Sequence, residues 1–213
     1  MANPTILRET PQVRALHTVI RDKDCSRHDF VTKSNRLVQM LIEEAIGLLP
    51  ATKVTINTPC GPYEGVKLAD ESSLCAVSIM RAADCMLGVA RDMMPSVTVG
   101  KILIQRDEST ALPALMYSKL PTDIASRPVL LLDPMLATGG SAIEAIKVMV
   151  ERGVPPERII FVNIVCCAEG LQALHKAFPQ VQVVTSAIDP ILNEQKYIVP
   201  GLGDFGDRYF GTD

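Results

Sequence analysis

The sequence has little of what marks a membrane-spanning or exported protein. Its longest apolar run, IIFVNIVCCA from Ile159, is far shorter than the roughly 18 residues that a transmembrane helix needs. The amino terminus, MANPTILRETPQV, has charges and prolines where a signal peptide has a continuous apolar stretch. We therefore expect a soluble, cytoplasmic protein.

Positive charge and metal-binding patterns are also scarce. A formal net charge of −3 gives no broad positive field for nucleic acid or anionic lipid, so neither is an expected partner. The six cysteines include no C-x-x-C pair and none lies at zinc-finger spacing from a histidine, while the three histidines are far apart. We expect reduced thiols and no metal site built from protein ligands alone.

Strand-like and helix-like patterns alternate along most of the chain. The strings CAVSIM, VTVGKILIQRD, PVLLLDP, IIFVNIVC and VQVVTSAID indicate strands, and helices are predicted at about 32–49, 82–91, 141–152 and 171–178. This alternation predicts an α/β fold with a mainly parallel sheet. With 213 residues, 47% of them hydrophobic, a single domain over 1–213 is expected.

Two segments interrupt the alternation. Residues 53–68 combine β-branched residues with a cluster of Pro and Gly, which predicts a β-hairpin arm of the kind that makes subunit contacts. Residues 107–121, DESTALPALMYSKLP, have no sustained period and contain two prolines. They could form a plain connection, but their length favours a functional lid.

The segment LLLDPMLATGGSAIEAI carries the clearest chemical signal. An apolar strand ends in Asp133, and a loop of small residues leads into a helix. Gly139 and Gly140 allow close backbone approach, the free amides of the first helical turn favour a phosphate, and Asp133 can accept hydrogen bonds from ribose hydroxyls. Alternatively, Ser141 and Glu144 form an S-x-x-E capping box that explains the helix start without a ligand. The preceding acid and the paired glycines favour anion binding.

Other nucleotide and nucleophile motifs are incomplete. GLGDFG, from Gly201, fits G-x-G-x-x-G, but only seven residues follow Gly206, too few for the helix and strand of a dinucleotide-binding unit. There is no G-x-x-x-x-G-K-[ST] run, and no Ser, His and Asp arrangement suggests a triad. An enzyme with this sequence would not need a protein nucleophile.

DPMLATGGS after an apolar strand, together with YIVPGLGDFGDRYFGTD near the end, resembles the uracil phosphoribosyltransferases, the eukaryotic members above all. The similarity runs from about residue 32 onward, through IMRAADCM and GKILIQRDE. It implies a type I phosphoribosyltransferase core with a flexible lid and a carboxyl-terminal hood at about 190–213. The implied reaction is uracil plus phosphoribosyl pyrophosphate (PRPP) giving UMP and pyrophosphate, a step of pyrimidine salvage.

The resemblance also implies the residues that bind PRPP. Arg81 and Arg106 would meet the pyrophosphate, and Asp204 would act through Mg²⁺-bound water or the substrate, so Arg106 and Asp204 are the expected catalytic residues. The ribose hydroxyls and 5′-phosphate would be held by Asp133, Pro134, Met135, Leu136, Ala137, Thr138, Gly139, Gly140 and Ser141. By spacing alone, the charged side chains would more simply be surface or salt-bridged groups.

Uracil would be bound by the hood, through Ile198, Gly203, Asp204 and Phe205. Uracil's edge alternates carbonyl acceptors with an N–H donor, which backbone amides and carbonyls can match, and glycine permits the close approach. The apolar side chains of Ile198 and Phe205 can pack on the ring. A base without that edge pattern would leave buried polar groups unpaired.

The resemblance implies Mg²⁺ held mainly by the substrate's pyrophosphate, GTP as an activator in some relatives, and a homodimer through the arm that could pair into tetramers. Three positions depart from the family pattern. Ala83 replaces a common glycine and would be strained if that turn required a positive φ, while Leu112 and Ala114 flank the lid proline. Two alternatives are a non-catalytic sensor of PRPP or UMP and a phosphoribosyltransferase for another base.

Overall fold

The computed structural model describes residues 3–106 and 113–212. The strands are β1 (Thr5–Ile6), β2 (Ala51–Thr58), β3 (Gly61–Leu68), β4 (Cys75–Met80), β5 (Thr98–Arg106), β6 (Pro113–Lys119), β7 (Val129–Leu132), β8 (Met135–Leu136), β9 (Ile159–Cys167), β10 (Gln182–Asp189), β11 (Ile191–Leu192) and β12 (Ile198–Val199). The helices are α1 (Pro11–Arg21), α2 (Arg27–Gly47), α3 (Asp84–Met93), α4 (Gly140–Glu151), α5 (Ala168–Ala177) and α6 (Phe205–Phe210).

The central sheet has the strand order β1-β10-β9-β7-β4-β5-β6, and β8 extends the pairing along β9. Each neighbouring pair is parallel except β5 and β6, which are antiparallel. The predicted α/β fold with a mainly parallel sheet is therefore confirmed. Its five predicted strands appear within one or two residues of the expected places.

Apolar clusters cover both faces of the sheet. In β7, Leu130 and Leu132 pack into the cluster formed with α1, α2 and α3, whereas Val129 and Leu131 face the cluster that contains α4 and α5. Alternate residues of a strand point to opposite faces, so a strand covered on both sides is apolar along most of its length. This explains the largely apolar strings seen in the sequence.

The amino-terminal region contains two elements that the sequence patterns did not predict, β1 and α1. Thr10 caps α1 by accepting a hydrogen bond from the amide of Val13 at 3.2 Å, and Pro11 occupies the first helical turn. Both features are ordinary signals of a helix start. The predicted helix at 32–49 begins earlier than expected, at Arg27, because Ser26 caps it.

The predicted hairpin arm is confirmed as β2 and β3. The two strands pair antiparallel from Ala51 opposite Leu68 to Thr58 opposite Gly61, and they form a small sheet of their own. Most of the side chains are exposed, including the apolar Tyr63 and Val66 at 59% and 68%. Subunit contact through this arm stays a prediction.

The predicted lid needs a correction. Its residues 107–112 lie outside the described part of the chain, but residues 113–119 form strand β6, paired with β5 at the sheet edge. The prediction that the segment is irregular is therefore wrong for residues 113–119. The alternation typical of a strand is missing because several consecutive side chains of β6 are exposed.

The carboxyl-terminal region contains the β11–β12 hairpin and α6, where a hood was predicted. Within residues 3–106 and 113–212, no helix is long and apolar enough to cross a bilayer.

Candidate active site

The loop between β7 and α4 has the geometry of an anion site. Gly139, at the cap position of α4, has φ 85°, a left-handed conformation that favours glycine. No side chain caps α4 in the described residues, and the Glu144 carboxylate instead accepts from Lys147 Nζ at 3.1 Å. The capping box of Ser141 and Glu144 is therefore wrong as an explanation of this helix start. The Gly140 amide donates to Thr138 Oγ1 at 3.5 Å, and the other free amides of the first turn are left to a ligand or water.

This loop packs directly on the start of α5. A Cβ built on Gly139 would lie 3.0 Å from the Gly170 carbonyl oxygen, and one on Gly170 would lie only 2.2 Å from the Ala137 carbonyl oxygen. Gly170 thus permits the close packing that fixes the loop backbone. The sequence patterns missed its role, although a glycine in the first turn of a helix is itself a signal of close backbone approach.

The strand β6 also reaches this loop. A Cβ on Gly140 would lie 2.8 Å from Pro113 Cγ, so the first residue of β6 covers the start of α4. Pro113 directly follows the undescribed residues 107–112. The segment predicted to be a lid therefore returns to the sheet beside the predicted phosphate site.

Asp133 follows β7 and faces a cavity. Its side chain is half-buried, and Oδ1 accepts a hydrogen bond from the Met135 amide at 3.3 Å. Burial raises the pKa of Asp133 to about 7, and the Met135 amide opposes this only in part. The carboxyl group retains hydrogen-bonding capacity toward hydroxyl groups that enter the cavity.

The cavity, of about 320 Å³, lies between this loop and the carboxyl-terminal tail. Its loop side is formed by Asp133, Met135 and Ala137, and its tail side by residues 195–198 and 203–206. The volume is in the range of small-molecule sites, about 300–1,000 Å³. Two segments that were predicted separately, one for the phosphoribosyl group and one for the base, thus line one cavity.

All four residues predicted to bind the base line this cavity: Ile198, Gly203, Asp204 and Phe205. Ile198 and Phe205 are almost fully buried, so their side chains are fixed by packing. Gly203 has φ 83°. Asp204 also caps α6, because its Oδ1 accepts from the Asp207 amide at 2.9 Å. Asp204 therefore both stabilises the start of α6 and lines the cavity.

Five further residues line the cavity that the sequence patterns had not assigned to it. They are Ala82, Gln195, Lys196, Tyr197 and Gly206. Lys196 has φ 66°, unusual for a residue with a side chain. Gly206 belongs to the predicted hood but was not itself predicted to bind the base, and its place in the cavity depends on the fold of the tail.

Arg81 lies at the edge of this site and contacts the tail. Its guanidinium donates to Asp207 Oδ1 at 2.6 Å and to Thr212 Oγ1 at 2.7 Å, and it lies 5.8 Å from the centre of the Phe210 ring. The hydrogen bond from Arg81 lowers the pKa of Asp207. The peptide bond between Met80 and Arg81 is cis. Contact with pyrophosphate stays a prediction.

The remaining sequence expectations around the arginines have different outcomes. Ala83 has φ −72° and ψ −7°, an ordinary right-handed conformation, so the strain expected from a positive φ does not arise. Arg106 ends β5, where its backbone pairs with Pro113, but its side chain lies outside the described residues. Leu112 also lies outside them, whereas Ala114 is part of β6.

A magnesium ion fits the donor set only with help from a substrate. Among the described residues there is no group of three His, Cys, Asp or Glu side chains that could hold a metal. Asp133 and Asp204 nevertheless face the same cavity. One or two carboxylates with substrate phosphates are the usual surroundings of Mg²⁺.

Comparison with known proteins gives the family. A family model described as uracil phosphoribosyltransferase matches residues 6–212. The chain belongs to this family. The uracil phosphoribosyltransferase of Saccharomyces cerevisiae is 52% identical over 209 residues, covering 98% of this chain and 96% of the relative. The resemblance inferred from the two sequence motifs is confirmed.

Solved structures share the fold of this chain. The AQ2163 protein of Aquifex aeolicus superposes with a TM-score of 0.85 at 29% identity, covering 99% of both chains. The adenine phosphoribosyltransferase of Trypanosoma brucei, solved with AMP, pyrophosphate and ribose-5-phosphate, superposes with a TM-score of 0.59 at 12% identity, covering 94% of this chain and 86% of that one. The second likeness concerns the fold alone, and the predicted phosphoribosyltransferase core is confirmed.

Proposed function

We propose that the protein is the enzyme that transfers the phosphoribosyl group of PRPP to uracil, giving UMP and pyrophosphate. One observation carries this proposal beyond family membership. The loop of Asp133 and the tail of Ile198 and Phe205 enclose a single cavity, so a ribose ring and a base can lie side by side. Pyrimidine salvage is the corresponding role.

The phosphoribosyl end of the site is the loop from Asp133 to Ser141. The start of α4 has no side-chain cap, and its amides and dipole favour the 5′-phosphate. Asp133 accepts hydrogen bonds from the ribose hydroxyls. Burial disfavours its charged form, and two hydroxyls that donate to the carboxylate would oppose this effect.

The uracil end is the tail. Ile198 and Phe205 provide apolar surface for the ring, while the backbone around Gly203 can approach the polar edge of the base closely. Phe205 is held from behind by Phe30 and Tyr209, with ring centres 5.2 and 5.7 Å away. A base with a different edge pattern would leave buried polar groups without partners.

The reaction forms a bond between the anomeric carbon and uracil N1 while the bond to pyrophosphate breaks and the N1 proton is lost. Positive charge develops on the sugar and negative charge on the leaving group, so the protein acts mainly by electrostatic stabilisation and alignment. We assign Arg81 and Arg106 to the pyrophosphate and Asp204 to a position beside the reacting atoms. The lid predicted at about 107–121 would keep water from the sugar.

Mg²⁺ bound to the substrate would neutralise part of the pyrophosphate charge, with Asp133 and Asp204 as the carboxylates nearest to it in the cavity. A cytoplasmic location agrees with the six unpaired cysteines, since disulfides are rare in that reducing compartment. GTP is proposed as an activator by family resemblance, and turnover with and without added GTP tests it.

A homodimer through the hairpin arm is proposed as the oligomer, with tetramers as pairs of dimers. The exposed apolar side chains of Tyr63 and Val66 support an interface there. Replacing both by Glu should lower the mass measured by light scattering to that of a single chain. An unchanged mass would exclude the arm as the interface.

The activity is tested by incubating the protein with Mg²⁺, PRPP and, separately, uracil, hypoxanthine, guanine and orotate. Nucleotide and pyrophosphate release with uracil alone is expected. Product with another base would indicate a different specificity. Binding of PRPP or UMP without product from any base would indicate a sensor instead of an enzyme.

Asp204 is tested by Asp204→Asn. Asparagine is also a good helix cap, so α6 should persist, while turnover should fall about 100-fold or more, the range for loss of a group that acts in the transition state. Asp92→Asn, an exposed residue of α3, is the matched control. Parent-like turnover of Asp204→Asn would remove this residue from the catalytic site.

A further inference from the structure

The turn that carries the base-binding residues is held by an ion pair that lies outside the cavity. Arg21, the last residue of α1, donates through Nη1 to Asp189 Oδ2 at 2.7 Å and through Nη2 to Oδ1 at 2.9 Å. Asp189, the last residue of β10, is 5% exposed. Two parallel hydrogen bonds of this kind fix both the distance and the angle between the groups.

The same pair binds both backbone groups of Gly201. Arg21 Nη1 donates to the Gly201 carbonyl oxygen at 2.8 Å, and the Gly201 amide donates to Asp189 Oδ2 at 2.9 Å. Gly201 has φ 58°, and a Cβ there would lie 2.0 Å from the Ile198 carbonyl oxygen. The turn is thus closed tightly on Ile198, and its position depends on the ion pair.

A second arginine binds the next residue of the turn. Arg208 donates to the carbonyl oxygen of Leu202, and the same guanidinium group donates to the carbonyl oxygens of Ile20 and Asp22. These two acceptors belong to the end of α1 and the residue after it. Residues 201 and 202, which lie between Ile198 and Gly203, are therefore both attached to the carboxyl end of α1.

We propose that Arg21 and Asp189 are positioning residues for the pyrimidine base, an inference that rests on the proposed function. Neither lines the cavity, so they act through Gly201 by holding Ile198 and Gly203 at the spacing that the base requires. The loop from Asp133 to Ser141 is carried by β7 and α4 instead. The pair should therefore control the affinity for uracil much more than that for PRPP.

Arginine is required by this geometry because one planar group must serve both carboxylate oxygens and a carbonyl. Lysine keeps the charge but presents a compact ammonium that cannot reproduce the fork. Arg21→Lys therefore separates position from charge. Arg14→Lys is the matched control, since Arg14 is on the same helix and its ion pair with Glu9 is 74% exposed on both sides.

The test measures KM for each substrate and kcat in the parent and both variants, after near-ultraviolet circular dichroism has established that each is folded. For Arg21→Lys we expect the uracil KM to rise at least tenfold while the PRPP KM stays within twofold. Arg14→Lys should match the parent. A folded Arg21→Lys with the parent's uracil KM, or with equal rises in both KM values, would overturn the proposal.

Asp189→Glu provides a milder second variant. The charge is kept, but the added methylene group prevents the carboxylate from holding the fork and the Gly201 amide together, so the uracil KM should again rise selectively. If both variants fail to fold at every temperature tried, the pair is a folding element and the proposal is wrong. Absence of uracil activity in the parent would instead refute the proposed function itself.

Discussion

Replacing Gly170 by alanine should damage a site that Gly170 does not line. Gly170 lies in the first turn of α5, where alanine ordinarily stabilises a helix by about 1 kcal/mol over glycine. Here the added methyl group would meet the carbonyl oxygen of Ala137 at 2.2 Å. Helix propensity therefore predicts that Gly170→Ala stabilises the protein, whereas packing against the phosphoribosyl loop predicts that it destabilises the protein, so the measurement separates the two effects.

The size of the effect follows from that distance. Non-bonded heavy atoms rest about 3.5 Å apart, so the Ala137 carbonyl or the start of α5 must retreat by roughly 1 Å. Backbone atoms cannot yield as a flexible side chain does, and inserted methyl groups in tight packing cost about 1–3 kcal/mol. A displacement of about 1 Å at a reacting group can lower the rate about 100-fold.

The assay compares thermal unfolding and steady-state kinetics of Gly170→Ala, Gly88→Ala and the parent. Gly88 is an exposed glycine within α3, and a Cβ there meets nothing within 4 Å. Gly88→Ala should raise the melting temperature slightly and leave kinetics unchanged. Gly170→Ala should lower kcat/KM for PRPP at least tenfold and lower the melting temperature by a few degrees.

Two results would refute this reasoning. If Gly170→Ala were as stable and as active as Gly88→Ala, the loop would not depend on its contact with α5. If activity fell only through loss of folded protein, with kcat/KM per folded molecule unchanged, Gly170 would matter for stability and not for the geometry of the site.

Three further predictions concern charged groups. The pKa of Asp133, raised to about 7, means that the folded state keeps a proton that the unfolded state has lost above about pH 4, so stability falls as the pH rises through this window. In urea titrations at pH 4 and 8, Asp133→Asn should remove this decrease in the free energy of unfolding. The same decrease in the parent and the variant would contradict the prediction. Burial and the charge of Arg21 lower the pKa of His17 to about 4, so the free energy of unfolding should decrease as the pH falls from about 6.5 to 4. His17→Gln should reduce this decrease. A normal His17 pKa measured by NMR would contradict the prediction. Arg81→Ala should raise the PRPP KM about tenfold and leave the uracil KM within twofold. The melting temperature should change little, because the ion pair with Asp207 is exposed. Equal changes in both KM values would contradict the assignment of Arg81 to the pyrophosphate.

The sheet could be predicted because its strands are covered on both faces. β7 and β9 are fully buried, so they appear in the sequence as apolar runs, interrupted only by Asn163 of β9, whose Oδ1 accepts a hydrogen bond from Thr185 Oγ1. β6 could not be found in this way, because it is an edge strand with several exposed side chains in succession. α1 was not predicted, although Thr10 and Pro11 mark its start and Val13, Leu16 and Ile20 form its buried face.

The candidate site divides along a similar line. The loop from Asp133 to Ser141 could be found because its acid, its glycines and the helix that follows are adjacent in sequence. The ion pair that binds Gly201 could not be predicted, because Arg21 and Asp189 are 168 residues apart and neither belongs to a recognisable local pattern. Gly170 was missed for the same reason, because its role depends on a contact with a loop carried by another strand.

The attachment of the tail to α1 has a consequence for protein synthesis. The guanidinium of Arg27, at the start of α2, also donates to the carbonyl oxygen of Tyr209, so two early helices hold α6. These contacts join residues 182 and 188 positions apart in the sequence. In a nascent chain, the tail side of the cavity can therefore form only after residues 205–210 have been synthesised and have reached α1 and α2.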